Sequence, residues 1–213
     1  MANVYYIGGA DGNFADLNSI DSATLSQGNN VFMVNPGSYT APTDFTGTDV
    51  SFKGIGDRDD VIILGNSAVG FSIANTYSGA ISFENLTIQG QDSVATGDPA
   101  GSNTAITKLG ASAAPMKFRN VKFTGAVHAA NSHAELAFAT TTNQIEMHYC
   151  LAEVDKALVS NANIFATYSV FGANAYHTAG SGGDPALTVK TLLCGPNTAN
   201  VGNSTESIVA TIA

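Results

Sequence analysis

The side chains able to do acid–base or ligand chemistry are few in this chain and scattered. Its 213 residues hold eight Lys and Arg, 17 Asp and Glu, four His and two Cys. Hydrolysis by paired carboxylates needs two acids converging on one bond, one to give a proton and one to activate water or attack. After residue 120 the acids are Glu135, Glu146, Glu153, Asp155, Asp184 and Glu206, spread thinly with no Asp-Asp pair. The only arginines are Arg58, in the turn DRDD, and Arg119, beside Asn120. Arg58 reads as a solvated loop charge. His133 and Glu135 alternate onto one side of a strand, while His128, His148 and His177 stand apart. They read as surface or inter-coil histidines and not as a metal set. GIGDRD lacks the third Gly and the following helix of a dinucleotide loop. DGNFAD lacks the Gly and closing Glu of a calcium loop. Asp57, Asp59 and Asp60 read as a wet turn. The residues therefore point to no catalytic, cofactor or metal site, and the expectation is a protein that is not an enzyme.

The elements that would position these groups are mostly strands. Only NFADLNSIDSATLS has helical spacing, with Phe14, Leu17 and Ile20 on one face, Asn13 as N-cap and Asp16 in the first turn. Short apolar runs then alternate with Gly, Asn, Asp and Ser clusters, the pattern of many short strands. ISFENLTIQG (81–90) and MKFRNVKFTG (116–125) share one template, apolar-x-apolar-x-Asn-apolar-x-apolar-x-Gly. Asn85 and Asn120 take the slot between two short strands, where Asn tolerates the left-handed backbone of a sharp bend. IEMHYCLAEV is a weaker copy with Tyr149 at the bend and Cys150 in the core slot of Leu86 and Val121. A fourth copy, IFATYSVFG, alternates through Ile164, Ala166, Tyr168 and Val170. Further strands are expected at Val31–Val34, Val50–Phe52, Val61–Leu64, Phe71–Ile73, Ile106–Leu109, Glu135–Ala139, Ala157–Val159 and Leu187–Val189. Grouped in threes they make stacked coils, roughly six of them and about 30 Å tall at the inter-strand spacing of a sheet. VFMV would lie in the first coil, its outer face under the helix, and Cys194 would be a core residue like Cys150.

The run from Phe14 to Asn66 resembles the start of pectin-lyase-like right-handed parallel β-helices. Its matches are Pro36-Gly37-Ser38-Tyr39 at a turn, Gly54-Ile55-Gly56 and Gly65-Asn66. The resemblance implies an all-β, single-stranded right-handed parallel β-helix with an N-terminal capping helix. One domain would span 1–213: a strand and helix over 1–30, coils over 31–194, and a tail or closing strand over 195–213. Enzymes of that superfamily need convergent carboxylates, with calcium and an Arg or Lys base in the lyases. The esterase-type run Gly-x-Val-Asp-Phe-Ile-Phe-Gly is absent, and GQDSV (90–94) only faintly echoes another esterase motif.

Net charge is −9. Nucleic acid is not an expected partner, because backbone binding needs clustered cations, and an anionic membrane surface is disfavoured likewise. No run approaches the roughly 20 apolar residues of a membrane span. MANVYYIGGADG lacks the basic and apolar regions of a leader, so synthesis in a cytosol is expected. The low charge suits lateral faces that meet other subunits. By its likeness to small β-helical tailed-phage proteins, the leading expectation is a virion structural protein. It would be a capsid decoration or cement protein, a homotrimer contacting major capsid or other virion proteins. The alternative is a tail spike or fibre, or a secreted β-helix protein, that binds or cleaves polysaccharide. That alternative needs a groove of aromatic and acidic side chains, and Tyr149, Tyr168 and Tyr176 with Glu146 and Asp155 are its candidates. A regular Thr-x-Thr ice-binding ladder is not seen.

Overall fold

The structure is a computed structural model. It describes residues 1–42, 45, 47–65, 71–73, 77, 79–90, 106–108, 116–124, 136–138, 144–152, 159–160, 163–171, 187–189, 192–194, 204–206 and 209–211. Its first strands are β1 (Asn3–Ile7), β2 (Asn30–Val34), β3 (Gly37–Thr40), β4 (Val50–Gly54), β5 (Val61–Leu64), β6 (Phe71–Ile73) and β7 (Ile81–Gln89). Next come β8 (Ile106–Lys108), β9 (Met116–Thr124), β10 (Leu136–Phe138), β11 (Gln144–His148), β12 (Leu151–Ala152) and β13 (Val159–Ser160). The last are β14 (Asn163–Thr167), β15 (Ser169–Phe171), β16 (Leu187–Val189), β17 (Leu192–Cys194), β18 (Ser204–Glu206) and β19 (Val209–Thr211).

Every pairing between these strands is parallel. One face runs β1-β2-β4-β7-β9-β11-β14-β16-β18. A second joins β3 and β5 to the later halves of β7 and β9, then to β12, β15, β17 and β19. The third, a separate sheet, is β13-β10-β8-β6. Parallel neighbours separated by a full turn of chain are what a β-solenoid requires, since each coil takes the edge hydrogen bonds of the next.

The interior is built from alternate residues of each strand. Phe32, Phe52, Phe83 and Phe118 stack in register, with centroids 5.3, 5.4 and 5.4 Å apart and planes within 20°. Phe45 and Phe71 meet this column edge-on or tilted, and Phe123 closes on Phe118 at 77°. All seven rings are buried. The column follows from the template: equivalent slots of successive coils land one strand apart, so like residues stack on like. Cys150 fills its expected core position, and its burial pushes the thiol up to about 12. Strand β17 includes Cys194, whose side chain lies outside the description, as do His128, His133, Glu135 and His177.

Three expectations change. The single helix over 14–25 is instead a 3-10 turn, Leu17–Ser19, capped by Asp16, and a short helix, α1 (Ser22–Ser26), capped by Asp21. Two acids five residues apart each satisfy local N–H groups, which divides the segment. Asn13 does not cap a helix: its Oδ1 accepts the Tyr6 amide at 2.7 Å, and Phe14 bonds the outer edge of β1. VFMV is not in the first rung, because β1 pairs with β2 ahead of it. Among the described residues no helix is long and apolar enough to cross a membrane.

Candidate functional site

In four coils the bend between the first and second faces is made by a non-glycine residue with positive φ. Asn85 (58°), Asn120 (51°), Tyr149 (56°) and Tyr168 (50°) form this column. The two asparagines act as the template foresees. Asn120 Nδ2 donates to Asn85 Oδ1 at 2.6 Å, and Asn85 Nδ2 donates to the Gly54 carbonyl at 3.2 Å. Gly54 must be glycine, since a Cβ there would overlap the Asn85 carbonyl. The turn residues Pro36 and Gly37 are likewise placed as expected: Gly37 has φ 149°, and the Tyr39 hydroxyl donates to the Pro36 carbonyl at 3.3 Å. Arg58 is not the solvated charge expected. Its side chain is only 24% exposed, and Nη1 donates to Asn120 Oδ1 at 3.2 Å, closing the amide ladder.

In the next coils the bend carries tyrosines. Tyr149 and Tyr168 stack at 5.3 Å with planes 8° apart, and they are 54% and 61% exposed. Tyr168 is therefore at the corner and not in an inward slot of its strand. Of the five residues named as sugar-facing, Tyr149 and Tyr168 come to the bend at one edge of the first face, and Glu146 lies on that face three residues before Tyr149. Tyr176 and Asp155 lie outside the described residues.

Register assembles the rest of this face. Ser51, Ser82, Lys117 and Glu146 form one outward row across the strands; Lys53, Glu84, Arg119 and His148 form the next. Lys53 Nζ lies 3.2 Å and Arg119 Nη1 3.9 Å from the Glu84 carboxylate, and Lys117 Nζ lies 3.0 Å from Glu146. His148 Nδ1 and Thr167 Oγ1 share a hydrogen bond of 2.6 Å. Exposed ion pairs of this kind add about 0–1 kcal/mol each to stability, so this face is poorly explained as scaffolding. Five of the eight basic residues (Lys53, Arg58, Lys117, Arg119, Lys122) gather on these coils of an acidic chain. Sequence reading passed over Glu84 and Lys117, noted Arg119 only as the neighbour of Asn120, and took His148 for a surface or inter-coil histidine. The outward alternation of the two templates was the signal that would have found them.

Such a face can do definite chemistry. Phenolic rings offer apolar edges and hydroxyls to a sugar ring, and Arg119 offers a forked donor to carboxylate or hydroxyl. His148 offers a ring nitrogen on the same row. Glu84 and Glu146 sit two strands and two residues apart, about 12 Å between backbones, which is beyond the spacing of a glycosidase acid pair. In the DRDD turn, the Asp59 amide donates to Asp57 Oδ1 at 3.1 Å and Lys122 lies 3.5 Å from Asp59. Among the described residues no group of acids, histidines and cysteines could hold a metal ion.

No protein-family model matches the chain. No curated protein matches it either. Solved structures do. Pectin methylesterase from carrot is 12% identical, with a TM-score of 0.60 over 99% of this chain and 72% of that one. Pectin methylesterase PemA from Erwinia chrysanthemi is also 12% identical, with a TM-score of 0.58 over 92% of this chain and 71% of that one. The expectation of a non-enzyme is overturned here, because the solved structures sharing this fold are enzymes. The phage-virion likeness, with its capsid decoration and homotrimer, gains no support from them. What the chain shares with these pectin methylesterases is their fold, a parallel β-helix.

Proposed function

We propose that this protein acts on polysaccharide, with the polymer held on the outer side of the first face against Tyr149 and Tyr168. One observation carries the reading: two large aromatic residues occupy a left-handed bend where Asn serves elsewhere, and both are more than half exposed. Backbone strain at an exposed position is characteristic of binding sites, where the strained residue is kept for what it presents. Arg119 and His148 on the nearest row of this face, and Lys117 and Glu146 one row further from the bend, suit a ligand bearing hydroxyls and carboxylates. That the similar solved structures are enzymes of pectin supports this alternative over the virion role.

Affinity electrophoresis tests it. The protein is run through gels containing pectin, polygalacturonate, cellulose derivatives or xylan, beside a Tyr149→Ala/Tyr168→Ala double variant. Retardation by at least one polymer, lost in the variant, is the expected result. Equal mobility of both proteins in every gel would overturn the reading.

A further inference from the structure

A second feature of the same face lies at the opposite end of its strands. There the corners of successive coils leave a trough of about 300 Å³ whose lining includes Asn29, Asp49, Ser51, Ser82 and Lys117, with Ile81 in its wall. Asn29 and Asp49 both hold φ 51°, so each turns the chain at this corner. Asp49 is only partly engaged: Oδ1 accepts the Ala80 amide at 2.9 Å, and Oδ2 has a long contact of 3.5 Å to Thr48 Oγ1. Ser82 Oγ donates to Ser51 Oγ at 2.7 Å, which leaves the Ser51 hydroxyl proton to point elsewhere. Lys117 also lines the trough, its Nζ paired with Glu146 at 3.0 Å.

This is an alternation of acceptor, hydroxyl donor and ammonium over an apolar wall, in a volume suited to one hydroxyl-rich ring. It faces the same side as the tyrosines. From Asn29 and Asp49 to Tyr149 and Tyr168 is three to five inter-strand steps and five residues along the strands, about 22–29 Å in all. Between them run the Lys117–Glu146 and Lys53–Glu84–Arg119 clusters.

We infer that the trough is a second ring-binding subsite, so that one polysaccharide chain crosses the face diagonally from Tyr149 and Tyr168 to Asn29 and Asp49. The inference rests on the polysaccharide reading above and adds a length requirement to it. Oligomers too short to span the face use the tyrosines alone; longer ones gain the second contact intramolecularly.

The test uses the full chain and a length series of galacturonan and cellulose oligomers from dimer to decamer, measured by titration calorimetry. The wild-type protein should show a step of roughly a hundredfold in affinity once the oligomer spans both sites. Ser82→Phe, which fills the trough, should erase the step and leave short-oligomer binding unchanged. Asn29→Gly keeps the left-handed backbone while removing the amide, and should lower the step without erasing it; it also serves if Ser82→Phe does not fold by circular dichroism. A smooth rise with length, or a step that survives both variants, overturns the inference while the tyrosine site stands. Absence of binding at every length in the wild-type protein overturns both.

Discussion

The same bend is made in two ways along one column. At Asn85 and Asn120 the left-handed residue turns its amide inward along the solenoid, feeding Gly54 and taking Arg58. At Tyr149 and Tyr168 nothing inward is gained, and the rings stack outside on each other. A bulky residue in this region costs on the order of 1–3 kcal/mol, and the mutual stack returns about 0.5–1.5. The difference teaches which coils are built for holding and which for presenting: the asparagine bends tie the stack together, while the tyrosine bends spend stability on exposure.

Asn120→Ala probes the contrast most severely. It loses two amide bonds, leaves Arg58 without its acceptor and strains the backbone, so about 2–4 kcal/mol of stability should disappear in urea melts. A loss below about 1 kcal/mol would show that the amide ladder is ornamental. The exchange in the other direction should be mild. Tyr149→Asn with Tyr168→Asn relieves strain and removes a stack, so stability should stay within about 1 kcal/mol of wild type while polymer retention is lost.

Cys150 sharpens the comparison from within, since it lies directly after a tyrosine bend. Its thiol ordinarily titrates near 9.0 and is pushed up to about 12 by burial. The folded state therefore holds its proton where the unfolded state has released it. Stability contributed this way is complete below pH 9 and falls by about 1.4 kcal/mol per pH unit between the two values. Alkylation of Cys150 should likewise need unfolding first, and fast labelling at neutral pH would mean that the tyrosine coils open. The smallest effect is expected from Lys117→Ala: stability changes by at most about 0.5 kcal/mol because the ion pair is exposed, yet long oligomers should bind more weakly. At α1 the sign is reversed. The Thr24 amide holds the Asp21 carboxyl below its usual range, so that cap's support is present above the ordinary carboxylate range and lost as pH falls through the lowered value.

Much of the fold was legible because a solenoid repeats its reasons. The template around Asn85 and Asn120 named the bend, the inward slots and the core place of Cys150, and each follows from local alternation. The helix over 14–25 was misread because period alone cannot say that Asp16 and Asp21 each cap a separate turn. Arg58 was misread because its acceptor is 62 residues away. The alternation through Ile164, Ala166, Tyr168 and Val170 did not show the bend at Tyr168, because the sequence does not mark that bend with Asn.

By itself, the sequence determined that short strands coil, that Phe83 and Phe118 take equivalent slots, and that a left-handed Asn turns the bend of the shared template. These depend on neighbours within ten residues or on the recurrence of one template. Only the tertiary structure decided that Lys53, Glu84, Arg119 and His148 share a row, and that Tyr149 lies against Tyr168. Coils of unequal length place residues side by side through strand register, and register is fixed by pairing in three dimensions, not by spacing along the chain.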